Sequence, residues 1–196
     1  MTRHGTQAIG IAAVAFSALY FLSDLIEAQQ GAFSDFQLWL TLVAEAAVPI
    51  FVVGLAAAQQ PRIGRLGMWS ALAYAYSYVY FTGTVVYALV NSTKDYATLS
   101  DDLGALMILH GAVMVAAGLG LGYAMLRARV LPVWTAIALM VGVILVAAAQ
   151  GLPEGAQLAA AAIRALGLRG MGAALLRTNP CMPPIARSIS ARRTVG

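Results

Sequence analysis

Three ionisable side chains interrupt otherwise apolar segments of the sequence. Glu45, His110 and Arg164 lie about seven to nine residues from the nearest end of such a segment, which in a helix is roughly 10–13 Å along the axis. A charge at the middle of a bilayer costs about 2.5–3.5 kcal/mol even on the most lenient insertion scale. Because the three depths agree, we predict one shared polar site, in which Glu45 and Arg164 form an ion pair.

The first apolar segment carries polar side chains on one helical face. Ser17, Tyr20, Asp24 and Glu27 are three or four residues apart, which is the spacing of a single face. We predict that this face runs from the outer surface down to the level of the three ionisable groups.

The second and third segments add polar side chains at the same level. Thr41 lies one turn before Glu45, and Tyr80 and Thr84 are one turn apart, on the side of the helix that also carries Tyr76. The alternative interpretation of these groups is structural: an ion pair would clamp two helices together, and a histidine would bond a neighbouring carbonyl. The predicted ligand-binding residues are Glu45, His110, Arg164, Tyr20, Asp24, Tyr80, Thr41 and Thr84.

Several kinds of chemistry lack the residues that they require. Lys94 is the only lysine and lies between apolar segments, which excludes a retinal Schiff base. His4 and His110 are the only histidines, so two facing axial ligands for haem are not available. The single cysteine, Cys181, excludes a disulfide framework and a thiol redox pair. The sequence has no P-loop, no Gly-x-Ser-x-Gly elbow and no metal-ligand spacing, so we expect no cofactor and no metal.

The composition indicates that the three ionisable side chains belong to a membrane protein. The chain has 196 residues, of which 61% are hydrophobic and 10% charged, whereas a soluble domain has about 25% charged residues. Mean hydropathy is +0.79. These values predict an integral membrane protein in a lipid bilayer. They exclude a cytosolic enzyme, a disordered chain and a nucleic-acid-binding domain.

Six apolar segments are long enough to cross about 30 Å of hydrocarbon. Because the backbone inside lipid must satisfy its own hydrogen bonds, these segments are predicted to be helices. Short connections make neighbouring helices antiparallel, so we predict an all-α, polytopic membrane protein with one six-transmembrane-helix bundle over residues 1–177. The predicted spans are 8–28, 36–58, 66–90, 103–126, 132–150 and 155–176.

The charges predict the orientation of the bundle. Basic residues flank one set of connections, at Arg62, Arg65, Arg127 and Arg129, and most acidic residues lie near the other set. Since basic residues mark the cytoplasmic side, both termini are predicted to be cytoplasmic, in a multi-pass protein of the cell membrane. Residues 178–196 are rich in proline and arginine, and we predict that they form a flexible, basic cytoplasmic tail.

The second half of the sequence has a familiar arrangement. His110 opens a segment rich in small residues, and the stretch Tyr-Ala-Met-Leu-Arg-Ala-Arg-Val-Leu-Pro-Val-Trp at positions 123–134 leads into another apolar segment. This part resembles the second half of uncharacterised bacterial six-helix integral membrane proteins, in which a Leu-Pro-x-Trp entry to the fifth helix is common. The resemblance implies six helices and brings no activity with it.

Three functions remain open from the sequence. The first is a membrane-embedded binding or transport protein for a small hydrophobic or cationic ligand, since acidic residues attract cations. The second is an intramembrane isomerase or cyclase that uses Glu45 or His110 as its acid or base. The third is an accessory subunit of a larger membrane complex, in which Arg164 and Arg169 could meet a partner's carboxylate. A second copy of the chain, in a homo-oligomer, is the alternative partner.

Overall fold

The computed structural model describes residues 3–177, and seven helices contain most of them. Within this range the fold is all-α, as predicted. The connections are only a few residues long, so consecutive long helices turn back on one another. The helices are α1 (Arg3–Gln30), α2 (Asp35–Ala58), α3 (Gly64–Asn91), α4 (Tyr96–Leu103), α5 (Ala105–Ala128), α6 (Val133–Ala148) and α7 (Glu154–Arg177).

The six long helices form a closed ring. Each one packs against two neighbours in the order α1, α2, α3, α5, α6, α7, and α7 closes the ring against α1. Small residues allow close approach, as is usual for helices that pack inside a membrane. A Cβ atom built on Gly142 would lie 2.6 Å from the Cα atom of Arg164, and one on Gly167 would lie 2.8 Å from the Leu139 amide nitrogen.

The two ends of the ring differ in charge. We call the end with the α1–α2, α3–α5 and α6–α7 connections the acidic end, because Asp35, Asp95, Asp101, Asp102 and Glu154 lie there. We call the end with the α2–α3 and α5–α6 connections the basic end, because it carries Arg62, Arg65, Arg127, Arg129 and Arg177.

The outer surface of the ring is apolar. Within the described range, α1, α2, α5 and α7 are each long and apolar enough to cross a membrane, and α6 is an apolar helix of 16 residues. Large apolar side chains point outward from these helices and from α3. A soluble protein rarely exposes so much apolar surface, so these features are typical of a membrane protein. Examples of the outward-facing residues are Trp39, Ile50, Trp69, Val90 and Ile108.

The structure corrects the predicted start of the fourth span. Residue 103 ends a separate short helix, α4, and α5 begins at Ala105. Gly104 separates the two helices with a φ of +50°, a conformation that glycine adopts readily. Asp95 caps α4, since its carboxylate accepts a hydrogen bond of 2.8 Å from the Thr98 amide. The predicted tail, residues 178–196, lies outside the described residues.

Candidate functional site

A cluster of polar side chains occupies the interior of the ring in its acidic half. The hydroxyl of Tyr20 donates a hydrogen bond of 2.6 Å to Oε1 of Glu45. The guanidinium carbon of Arg164 lies 4.6 Å from the centre of the Tyr20 ring, and its Nη2 atom is 3.8 Å from Oδ2 of Asp24. Tyr78 packs its ring edge against Tyr20, with 6.3 Å between the ring centres. We call these five residues the Tyr20 cluster.

Three helices supply the cluster from the same depth. Tyr20 is ten residues before the end of α1, Glu45 is ten residues after the start of α2, and Arg164 is ten residues after the start of α7. Each is therefore about 15 Å along its helix from the acidic end. Glu45 and Arg164 are buried, so these charged groups lie in the interior of the ring.

The ion partners differ from those predicted. The sequence suggested a Glu45–Arg164 pair, but among the described residues Arg164 forms its salt bridge with Asp24. Glu45 instead accepts from Tyr20, whose ring lies against the guanidinium of Arg164. Tyr20 thus contacts Glu45 through its hydroxyl and Arg164 through its ring face, and a cation over such a ring is stabilised electrostatically.

Several buried polar atoms of this region have no hydrogen-bond partner among residues 3–177. They include Oε2 of Glu45, Oγ of Ser17 and Oε1 of Gln37. The rings of Tyr74 and Tyr78 are 5.2 Å apart, and Tyr78 contacts Tyr20. Buried polar atoms are nearly always hydrogen-bonded in folded proteins. A group of unpartnered atoms in one place therefore indicates capacity to bind a polar or charged species.

The formal charge of the Tyr20 cluster is unbalanced. It holds two carboxylates, Asp24 and Glu45, and one guanidinium, Arg164. With both acids ionised, the sum is one negative charge in the interior of the ring. A net charge in a region of low dielectric constant is strongly disfavoured. One proton or one monovalent cation would neutralise the cluster.

A ladder of hydrogen bonds runs from the acidic end toward the Tyr20 cluster and stops one helical turn before Glu45. The Gln37 side-chain amide donates to Oε2 of Glu27 at 3.1 Å and lies 3.0 Å from Oγ1 of Thr41 and 3.3 Å from Oγ of Ser23. The hydroxyls of Ser23 and Thr41 also bond to each other. The interface between α1 and α2 is therefore polar from the acidic end as far as Thr41, one turn before Glu45 in α2.

His110 lies in a different place from the Tyr20 cluster. Its Nδ1 atom is 2.8 Å from the carbonyl oxygen of Leu106, and its Nε2 atom is 3.2 Å from the Tyr76 hydroxyl. The ring stacks on Tyr80 at 3.6 Å between centres, with an interplanar angle of 5°. Because Tyr76 is 58% exposed, this group opens to the outside of the ring. The structure therefore does not bring His110 and Tyr80 into the predicted shared site.

On α3, Thr84 is buried, but the tyrosines that face the interior are not the predicted ones. Thr84 donates its hydroxyl to the Phe81 carbonyl in its own helix, at 2.8 Å. Tyr74 and Tyr78, which are fully buried, face the interior instead of Tyr76 and Tyr80. Tyrosines at every second position cover opposite sides of a helix, so the sequence pattern did not distinguish the two pairs.

Comparison of the chain with family models, curated proteins and solved structures gave no match. The chemistry of the site must therefore be inferred from its own residues. Among residues 3–177, no three His, Cys, Asp or Glu side chains are grouped so that they could hold a metal ion. The Tyr20 cluster offers carboxylate oxygens, phenol hydroxyls and aromatic faces, which together suit a proton or an organic cation.

Proposed function

We propose that this chain is a six-span protein of the cell membrane that binds and transports a small hydrophobic cation at the Tyr20 cluster. The six long helices would be the spans, and both termini would be cytoplasmic. The charge difference between the two ends supports this orientation, because the basic end would face the cytoplasm. The 16 residues of α6 cover about 24 Å, and a local thinning of the bilayer accommodates that shortfall.

The observation that carries the proposal is the unpartnered oxygen of Glu45. This oxygen is buried in a cluster that has one excess negative charge when both of its acids are ionised. A monovalent organic cation would supply the missing charge and would also contact the rings of Tyr20 and Tyr78. Arg164 already makes such a contact with Tyr20, which supports the idea that the ring faces suit a flat or apolar cation.

The path to the site favours entry from the acidic end. Polar side chains lead from Glu27 through Gln37 toward Glu45, whereas the interior of the basic half is filled by apolar side chains such as Phe51, Leu139 and Met171. In the proposed cycle, a cation entering from the outer side displaces a proton from the carboxylate pair. Release to the other side requires the basic half to open. A proton then binds the carboxylates again and returns the cluster to its starting state.

Calorimetric binding of tetraphenylphosphonium, a lipophilic monovalent cation, tests this function. We expect the wild-type protein in detergent to bind it and to release about one proton. Because the proton competes with the cation, lowering the pH should weaken binding by up to about tenfold per unit. Glu45→Gln should lose at least about tenfold in affinity, which corresponds to about 1.4 kcal/mol.

Glu154→Gln is the matched control, since it removes the same charge from an exposed position at the acidic end. It should change the affinity by less than about twofold. Equal affinity of wild type and Glu45→Gln would contradict the proposal, and so would failure of the wild type to bind the probe at millimolar concentration.

The intramembrane isomerase or cyclase is the weaker alternative. Either Glu45 or His110 would be its acid or base, and these two residues belong to separate groups of contacts. A reaction at the Tyr20 cluster would therefore depend on Glu45 and Tyr20 without the histidine.

A further inference from the structure

A groove runs along the outer side of α7 near the basic end. Its volume is about 730 Å³, and it is bounded by α1, by the α5–α6 connection and by α7 itself. A smaller groove of about 200 Å³ continues it toward the middle of α7, and the two share Leu166 and Arg169. Most of the lining is apolar, with Val14, Trp134 and Ala173 among the side chains.

Arg169 is the unusual residue of this groove. It lies eight residues before Arg177, the end of α7, which places it about 12 Å from the basic end of that helix. Arg164 belongs to the Tyr20 cluster inside the ring, whereas Arg169 is exposed on the outside of the ring. A charged side chain on the apolar outer surface of a membrane helix requires an anionic partner or access to water.

The chain itself has no acid near this groove. All eight acidic residues lie in the acidic half or at the acidic end, with Glu45 the deepest of them in α2. Arg177 lines the same groove at its rim. The two arginines therefore form a positive pair on an apolar surface, with no acidic side chain of the described residues beside them.

We propose that this groove binds an anionic phospholipid. Arg177 at the rim and Arg169, through its long side chain, would hold the headgroup phosphate. An acyl chain would follow the apolar lining past Ala173 and Leu166. The volume lies within the range of pockets that hold drug-sized molecules, roughly 300–1,000 Å³, so it suits a headgroup with the first part of one chain. The apolar lining distinguishes such an amphiphile from a free phosphate ion.

Trp134 provides a reporter inside the groove. A Cβ atom on Gly170 would lie 2.1 Å from its Cη2 atom, so the indole rests directly on the α7 backbone. Trp39 and Trp69, the other two tryptophans, are replaced by phenylalanine so that Trp134 alone fluoresces. The protein is then reconstituted in phosphatidylcholine that contains a small, equal fraction of brominated phosphatidylglycerol or of brominated phosphatidylcholine.

We expect brominated phosphatidylglycerol to quench Trp134 at least about twofold more than brominated phosphatidylcholine at the same fraction. Arg169→Gln should remove this preference. Ala173→Leu, which fills the groove without changing its charge, should also remove it. Arg65→Gln removes an exposed arginine from the same end of the ring, on α3, and should leave the preference unchanged.

Equal quenching by the two brominated lipids in the wild type would overturn the proposal. A preference that survives both Arg169→Gln and Ala173→Leu would overturn it as well, because the lipid would then be attracted by the basic end in general. A dimer in nanodiscs that Arg169→Gln dissociates, with no lipid preference, would assign the groove to a protein partner. None of these outcomes depends on the function proposed for the Tyr20 cluster.

Discussion

The interiors of the acidic and basic halves are made by the same six helices, yet they differ in chemistry. In the acidic half, Tyr20, Glu45 and Arg164 bring charge into the centre of the ring. In the basic half, the centre is filled by apolar side chains such as Phe51 and Met171, which are 0–1% exposed. The difference teaches that the same six helices can enclose a charged interior in one half and a closely packed apolar interior in the other.

The two halves also differ in what their buried groups contact. In the basic half, Phe51, Leu139 and Met171 belong to a continuous hydrophobic core. In the acidic half, Oε2 of Glu45 and Oε1 of Gln37 are buried without a protein partner among the described residues, an arrangement that costs stability. Substitutions in the interior of the basic half should therefore mainly lower stability, whereas substitutions in the interior of the acidic half should mainly change binding. Four substitutions test this separation.

Phe51→Ala should have the largest effect on stability. Phe51 is fully buried in the apolar half, and removal of a buried phenylalanine typically costs about 3–5 kcal/mol. Thermal unfolding in detergent should show a large fall in the midpoint. Ile50→Ala, one residue earlier and 69% exposed, should remain close to wild type. A similar fall in the unfolding midpoint for both variants would show that the interior of the basic half is not closely packed around Phe51.

Tyr20→Phe should affect binding more than stability. It removes the hydroxyl that donates to Glu45 at 2.6 Å and leaves the aromatic ring against Arg164 in place. The tetraphenylphosphonium affinity should fall severalfold, since Glu45 loses the donor that positions its carboxylate. Tyr80→Phe is the control, because the Tyr80 hydroxyl is also buried but has no partner among the described residues. Equal effects of the two variants would place the site elsewhere.

Gly142→Ala tests the close contact between α6 and α7 beside Arg164. The added methyl would lie 2.6 Å from the Arg164 backbone, so the two helices must separate. Such overpacking typically costs about 1–3 kcal/mol, and it should also displace Arg164 from Tyr20. Gly83→Ala is the control, because nothing lies within 4 Å of a Cβ atom there. A wild-type unfolding midpoint for Gly142→Ala would mean that this close approach is not needed.

Much of the helical framework was predictable from the sequence, because apolar length and turn residues mark long helices strongly. The helix α4 was missed, since its eight residues mix polar and apolar types and its boundary depends on the backbone of Gly104. Periodicity placed Tyr20 and Asp24 on one helical face. It did not fix the rotation of α3, so the interior role of Tyr78 was not foreseen. The partner of Arg164 likewise depends on how α1 is inserted between α2 and α7.

Asp95→Ala should have the smallest effect of the four substitutions. It tests whether a change in α4, at the acidic end, alters binding at the Tyr20 cluster. Hydrogen bonds from the Thr98 amide and hydroxyl lower the pKa of the Asp95 carboxyl. A lowered pKa means that the ionised cap stabilises α4 at neutral pH and loses this effect as the pH falls below the ordinary carboxyl range. At pH 7, amide exchange in α4 should be faster in Asp95→Ala than in wild type, and Asp102→Asn should leave it nearly unchanged. Tetraphenylphosphonium affinity should stay at the wild-type value, because the hydrogen bonds of Asp95 are made within α4 and not with the Tyr20 cluster. A loss of affinity would instead link the cap of α4 to access from the acidic end.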